Sequence, residues 1–182
     1  MIERDDIEIL KDFGNPSLSN QAFKEIIQKY QVRLYWHIRK IVIDHDDTDD
    51  VLQNTFIKIW KGLPLFKNDS KLFTWLYRIA TNESLTFLKQ KKRRFTSSLD
   101  EINQELCSKI ESDPYFDGDK AQLILQQAIL KLPEKQRLVF NMRYFDEISY
   151  DEMSNILGTS TGALKASYHH AVKKIEEYLK KD

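Results

Sequence analysis

The sequence predicts an all-α protein of two small helical domains joined by an acidic, flexible linker. Three observations carry that prediction. Apolar residues recur at three- and four-residue spacing across residues 20–94 and again across 120–179, the period of helices packed on one face. The 182 residues include only five glycines and four prolines, so few points interrupt those runs. Between them, residues 95–119 lose the period and carry one basic and seven acidic side chains.

The first 17 residues show no strong pattern and end near the breaker Gly14-Asn15-Pro16, so they read as an N-terminal extension. Ser19 or Asn20 can cap the first predicted helix, whose stripe of Phe23, Ile26, Ile27, Tyr30, Leu34, Ile38 and Ile41 carries it to about Val42. The acid-rich residues 44–50 form a polar connector whose carboxylates suit the positive end of the next helix. That helix is expected over 49–61, with Leu52, Phe56, Ile59 and Trp60 inward, and Gly62 and Pro64 ending it. A loop over 63–71 leads to a third helix from Leu72 towards Arg93.

In the last third, Leu123, Ile124, Ala128, Ile129 and Leu132 form one stripe, and Pro133 fits the first turn of the helix after it. That helix carries Leu138, Val139, Met142 and Phe145 and stops near Asp146-Glu147. Ser149-Tyr-Asp-Glu152 has the S-x-x-E form of a capping box, opening a short helix that Gly158 closes. Thr159 and Ser160 supply the cap of a final helix from Thr161 to about Leu179.

Bulk composition removes several function classes. No apolar run is long enough to span a bilayer, and the N-terminus lacks the cationic-then-apolar order of a signal peptide. A cytoplasmic location without membrane insertion is therefore expected. The single cysteine, Cys107, excludes an internal disulfide framework and a cysteine zinc cluster. No Gly-rich phosphate loop, catalytic triad or metal-ligand cluster is visible, so no enzymatic activity, small-molecule substrate or cofactor is expected.

Charge points the other way. The net charge is zero, yet residues 1–19 hold two basic and five acidic side chains, residues 20–94 hold 15 and 8, and residues 120–182 hold ten and eight. Two basic blocks flanking an acidic connector suit a polyanion, because local sign matters more than the total. Within the first block, Phe73, Trp75 and Tyr77 precede Lys89-Gln-Lys-Lys-Arg-Arg94. Aromatic faces beside a basic strip are what an unpaired nucleic-acid strand requires. The spacing of Trp75 with Leu72, Leu76 and Ile79 favours a core role for that side chain. In the second block, a short capped helix, a glycine turn and a longer helix have the layout of a helix-turn-helix. Its groove-facing candidates are Thr161, Gly162, Lys165, Ala166 and His169.

Four blocks in this order resemble the extracytoplasmic-function (ECF) class of bacterial RNA polymerase sigma factors. Asp49-Asp50-Val-Leu-Gln-Asn-Thr-Phe-Ile-Lys-Ile-Trp60 is similar to the family's polymerase-clamp helix. Phe73-Thr-Trp-Leu-Tyr-Arg-Ile-Ala-Thr-Asn82 is similar to its −10-element helix. Leu132-Pro-Glu-Lys-Gln-Arg-Leu-Val-Phe140 resembles the opening of its second domain. Ile148-Ser-Tyr-Asp-Glu-Met-Ser-Asn-Ile-Leu-Gly158 with Thr161-Gly-Ala-Leu-Lys165 resembles its −35-reading helix-turn-helix.

The resemblance implies a sigma region 2 over 18–94, an acidic linker over 95–119 and a sigma region 4 over 120–182. Asp50, Gln53 and Asn54 would face the β′ clamp of core RNA polymerase, with the β flap as a further contact. The loop Phe66, Lys67, Asn68, Asp69, Ser70 and Lys71 would receive a base flipped from the −10 element. Trp75, Arg78 and Asn82 would sit around the melted strand, and Lys89, Lys91, Lys92, Arg93 and Arg94 would hold its phosphates. Arg143 would join Lys165 on the −35 duplex, the linker would thread the polymerase near the RNA path, and an anti-sigma factor would mask these surfaces.

The sequence departs from the family pattern at Asn54, where a glutamate is usual, and at Ser167, His170 and Val172, where many members carry arginines. Fewer cations imply a shallower salt dependence. Two rival readings stay open at this level: a stand-alone helix-turn-helix regulator acting without polymerase, and a module that binds only proteins.

Overall fold

The computed structural model describes residues 4–94 and 120–180, with the side chains of residues 94 and 120 outside the description. The acidic linker 95–119 and Cys107 therefore lie outside the described residues, as does the short helix its apolar residues allowed. The chain separates into two compact units, Met1–Phe87 and Leu88–Asp182. Among the described residues there are eight α-helices and no strand.

In the first unit, α1 (Asp6–Phe13), α2 (Ser19–Val42), α3 (His45–Gly62) and most of α4 (Leu72–Arg94) enclose a core. Ile26, Leu34 and Ile38 of α2, Ile59 of α3, and Leu76 and Ala80 of α4 are all fully buried. A 3-10 turn, Leu63–Leu65, closes α3 and turns the chain into the loop 66–71.

Helix α1 was not visible in the sequence. It has eight residues and fully buries only Ile9, too little for a period to register. Polar contacts hold it instead. Arg4 reaches Asp12 at 2.7 Å and Glu25 at 3.0 Å, and Lys29 reaches Asp6 at 3.0 Å. The Tyr30 hydroxyl donates to the same Asp6 carboxylate at 2.7 Å. At its far end, Phe13 meets Trp60 edge-on, with centroids 5.3 Å apart, and Phe23 meets that indole at 4.9 Å.

Helix α2 spans the predicted length, but neither Ser19 nor Asn20 caps it. Leu18 occupies the cap position, with no side-chain cap bond. Helix α3 starts at His45, four residues before the expected Asp49, because Asp44 caps it by accepting from the Asp47 amide at 3.1 Å. Its buried stripe is Thr48, Val51, Thr55 and Ile59, rotated from the expected Leu52, Phe56, Ile59 and Trp60. The two threonines disguise that stripe. Each folds its hydroxyl back onto the helix, to Asp44 O at 2.6 Å and Val51 O at 2.7 Å, and so enters the core with its hydrogen bond made.

The same device operates on α4, where Thr81 and Ser84 are buried and bond back to Tyr77 O and Ala80 O. Tyr77, one of the aromatics read beside the basic strip, is only 2% exposed. Buried His37 of α2 hydrogen-bonds Thr81 at 2.9 Å and lies against the Tyr77 ring at 4.6 Å.

The second unit contains α5 (Lys120–Leu130), α6 (Glu134–Tyr144), α7 (Tyr150–Leu157) and α8 (Thr161–Leu179). Ala128, Ile129, Leu132, Phe140, Ala171 and Ile175 form its core. Pro133 sits one place before α6, at the cap, where its extended backbone turns the chain. Phe145 is 37% exposed rather than inward, while Phe140 and Asn141 take the buried positions. The Arg137 guanidinium is pushed below its ordinary value by burial, opposed by Glu134. It turns inward to donate to Leu130 O at 3.4 Å, so this cation serves packing.

Candidate nucleic-acid interface

Asp50, Gln53 and Asn54 are exposed on α3, away from the Thr48–Ile59 stripe. Ile57 lies one turn beyond Gln53 and Asn54 and is 46% exposed. This apolar member of a polar face was missed in the sequence, where it read as one more residue of a helical run.

The loop 66–71 is built outwards from an aromatic pair. Phe66 follows the 3-10 turn and lays its ring 5.0 Å from that of Trp75, tilted by 40°. Trp75 is half-buried, and Gly62 backs the indole so closely that a Cβ there would lie 3.0 Å from Cζ2. Beyond this seat, Lys67, Asn68, Asp69 and Lys71 are exposed and Ser70 is half-buried. Asn68 takes φ +57°, a left-handed turn that asparagine accepts more readily than most residues.

Arg78 and Asn82 are exposed one turn apart on α4, opposite buried Tyr77, Ala80, Thr81 and Ser84. At 100° per residue, Lys89 and Arg93 continue the same stripe, and both are exposed. Arg78 has no carboxylate partner among the described residues. Lys91 is half-buried, and Lys92 instead pairs with Glu134 at 2.8 Å, both in the second unit. Arg94 is the last helical residue. On the neighbouring side of α4, Glu83 holds Lys58 of α3 in an ion pair.

The helix-turn-helix has the predicted chemistry at each joint. Ser149 and Glu152 form the reciprocal capping box, and Gly158 ends α7 at φ +63°, a conformation glycine adopts without the steric cost of a Cβ. Ser160 caps α8 through the Ala163 amide at 3.4 Å. Met153, Ile156 and Leu164 pack inward. Gly162, Lys165, Ala166 and His169 are exposed on the first half of α8, with Thr161 half-buried.

Arg143, exposed at the end of α6, joins this surface through a residue that sequence reasoning missed. Its guanidinium carbon is 5.5 Å from the Tyr150 ring centroid, and Lys165 Nζ is 5.8 Å from the same ring. Arg143 also donates to Ile148 O at 3.4 Å. Tyr150 is the first residue of α7, hidden in the sequence inside the capping box, where only Ser149 and Glu152 drew attention.

Comparison with known proteins agrees with both halves. Residues 26–94 match the family model of Sigma-70 region 2, and residues 122–175 match that of Sigma-70, region 4. The ECF RNA polymerase sigma factor SigW of Bacillus subtilis is 29% identical over 167 residues, covering 87% of this chain and 89% of that protein. The ECF RNA polymerase sigma-E factor of Escherichia coli K12 is 30% identical over 164 residues, covering 86% of this chain and 85% of that protein. In fold, the chain is similar to CnrH in its complex with the cytosolic domain of CnrY, with a TM-score of 0.69, 24% identity and 97% of each chain covered. It is also similar to the sigma factor RpoE of Bartonella quintana, solved with the anti-sigma factor NepR, with a TM-score of 0.68, 21% identity, and 88% of this chain and 98% of that one covered. Two region matches in the family's order, together with full-length relatives, establish that this chain belongs to the ECF class of sigma-70 RNA polymerase sigma factors.

Proposed function

We propose that this sigma factor works as a two-point promoter reader without chemistry of its own, acting in the cytoplasm on core polymerase. Asp50, Gln53 and Asn54 dock on the β′ clamp, and the second unit contacts the β flap. The loop Phe66 to Lys71 takes up a base from the unpaired −10 strand. Arg78, Asn82, Lys89 and Arg93 then carry that strand along α4, with Lys91, Lys92 and Arg94 adding charge. Thr161, Gly162, Lys165, Ala166 and His169 enter the −35 major groove, and Arg143 lies beside them. In this assignment residues 18–94 and 120–182 are the two working domains and 95–119 the linker. Relatives solved with CnrY and with NepR support an anti-sigma factor as the regulator of this chain too.

The observation that carries the reading is the stripe on α4. Three cations and an amide, Arg78, Lys89, Arg93 and Asn82, lie within one face of a single helix and are all exposed. A stand-alone duplex-binding regulator has no use for such a strand-length track on a helix outside its helix-turn-helix. The test is binding to a fluorescent single strand bearing the −10 sequence, with and without core polymerase. Arg78→Ala should weaken binding by the holoenzyme and leave core affinity unchanged. Equal strand binding by wild type and an Arg78→Ala, Lys89→Ala, Arg93→Ala triple variant contradicts it.

A further inference from the structure

Helix α1 precedes residues 26–94, the stretch that matches Sigma-70 region 2, and its fastening differs in kind from the packing of α2 to α4. A helix on the surface of a domain is ordinarily held by an apolar stripe. In α1 only Ile9 is fully buried, and Phe13 rests edge-on against Trp60. Much of the remaining attachment is ionic. Arg4 reaches Asp12 at 2.7 Å, Glu25 at 3.0 Å and Glu8 at 3.6 Å, so one guanidinium bridges α1 and α2. Lys29 of α2 reaches Asp6 at 3.0 Å and donates to Arg4 O at 2.8 Å. Arg4, Asp6, Asp12, Glu25 and Lys29 have side chains between 19% and 40% exposed, so water and salt reach every one of them.

The turn that joins α1 to α2 leaves the helix free to move. Residues 14–18 are all exposed. Ser17 donates to the Asn15 side chain at 2.7 Å, and the Leu18 and Ser19 amides donate to Asn15 O at 2.9 Å, so these bonds stay within the turn when α1 swings as a unit. Lifting α1 uncovers the seat of Ile9 and the side of Trp60 that faces Phe13. It also removes one wall of an open cavity of about 650 Å³, which Ile7, Leu10 and Lys11 share with Leu63, Phe66 and Asn68. Salt acts on such a joint selectively. The Debye length falls from about 10 Å at 0.1 M to about 3 Å at 1 M, which weakens partly exposed ion pairs, whereas apolar burial is not screened.

We propose that α1 is a strap sensitive to ionic strength: it is latched on α2 through Arg4 and Lys29 at low salt and released about the turn 14–18 as salt rises, while the rest of the first unit stays folded. Latched, α1 covers Trp60 and walls the cavity beside the loop 66–71. Released, it leaves both open, so the salt around the protein sets how this end of the unit is presented.

The experiment is hydrogen–deuterium exchange of the full chain, read by mass spectrometry at about 50 mM and about 500 mM sodium chloride. Peptides from α2 and α4 serve as the internal reference and report that each variant is folded. Exchange across 6–13 should rise about three- to tenfold at the higher salt, with the reference peptides unchanged. Arg4→Ala should exchange faster across 6–13 at low salt and lose about half of the salt response, the share of its pairs beside that of Lys29 with Asp6. Ile9→Ala should exchange faster at both salts and keep the response. Exchange of 6–13 at one rate in both salts, or only together with α2 and α4, overturns the inference. So does a full wild-type salt response in Arg4→Ala.

Discussion

The ring of Phe66 rests on that of Trp75 at 5.0 Å, so the first residue of the loop 66–71 is seated on a half-buried side chain of the helix that follows it. Half-buried Trp75 follows its spacing with Leu72, Leu76 and Ile79, which favours a core role, and carries the ring of Phe66 from the loop.

The pair predicts a split between stability and strand binding. Trp75→Ala removes a large packed side chain and should cost about 3 kcal/mol of stability in the first unit. Phe66→Ala should cost under about 1 kcal/mol of stability, because its outer face is already solvated, yet lose about 1–3 kcal/mol of strand affinity if it stacks on a base. Chemical denaturation and holoenzyme binding to a −10 single strand, measured on both variants, separate the effects. Equal losses in both assays for Phe66→Ala would remove it as a stacking residue.

Gly62 sets the depth of that seat. A methyl at its Cβ position would stand 3.0 Å from Trp75 Cζ2, and the same indole carries the ring of Phe66 at 5.0 Å. Gly62→Ala gains about 0.8–1 kcal/mol of helix propensity against a crowding cost of about 1–3 kcal/mol. The expected net change in stability is a small loss, with a larger fall in −10 strand binding as Phe66 is displaced. A more stable variant with full strand binding would show that the indole yields freely.

Most of the helical framework could be read before any coordinates. The extents of α2 and α4, the capping box at Ser149 and Glu152, and the αL glycine at Gly158 could be read from periodicity and local rules, although the cap of α2 could not. What escaped was polar side chains doing apolar work. Thr48, Thr55, Thr81 and Ser84 return their hydroxyls to their own helix and enter the core, so the buried faces of α3 and α4 looked rotated. Helix α1 escaped because ion pairs to α2 over 21 and 23 residues of separation, Arg4 to Glu25 and Lys29 to Asp6, hold it where periodicity does not. Each candidate residue could be named from the sequence, but not where they come together: Phe66 on Trp75, α1 and Asn68 around one cavity, and two cations on Tyr150.

Tyr150 gives a prediction for the second unit. Arg143 and Lys165 approach its ring at 5.5 and 5.8 Å, so the ring orients two cations that come from different helices. Tyr150→Phe keeps the π face and should leave −35 affinity within about twofold. Tyr150→Ala should cost about 0.5–1 kcal/mol for each cation it frees. Arg143→Ala, if that side chain reads a base edge, should cost about 1–3 kcal/mol and relax preference at one position. Competition titrations against −35 duplexes substituted one base pair at a time read all three. Identical affinities for Tyr150→Ala and wild type would show that the ring has no part in the contact.

The salt dependence of −35 binding should be shallow. Ser167, His170 and Val172 supply no permanent charge on α8, leaving Lys165, Lys173 and Lys174 as its cations before the last turn. Removing Lys165 should lower the slope of log K against log salt by about 0.9 if it contacts one duplex phosphate. A slope unchanged in Lys165→Ala would place that ammonium away from the DNA backbone.

The central claim is that this chain opens promoters only as part of the polymerase. Its most direct test is permanganate reactivity of −10 thymines on a promoter selected from a randomised library, with the chain alone, core polymerase alone and the two together. The account predicts reactive, unpaired thymines only in the combined reaction, with the signal lost in the Arg78→Ala, Lys89→Ala, Arg93→Ala variant although it still binds core. Tight duplex binding by the chain alone, with no reactive thymines when core is added, would contradict it.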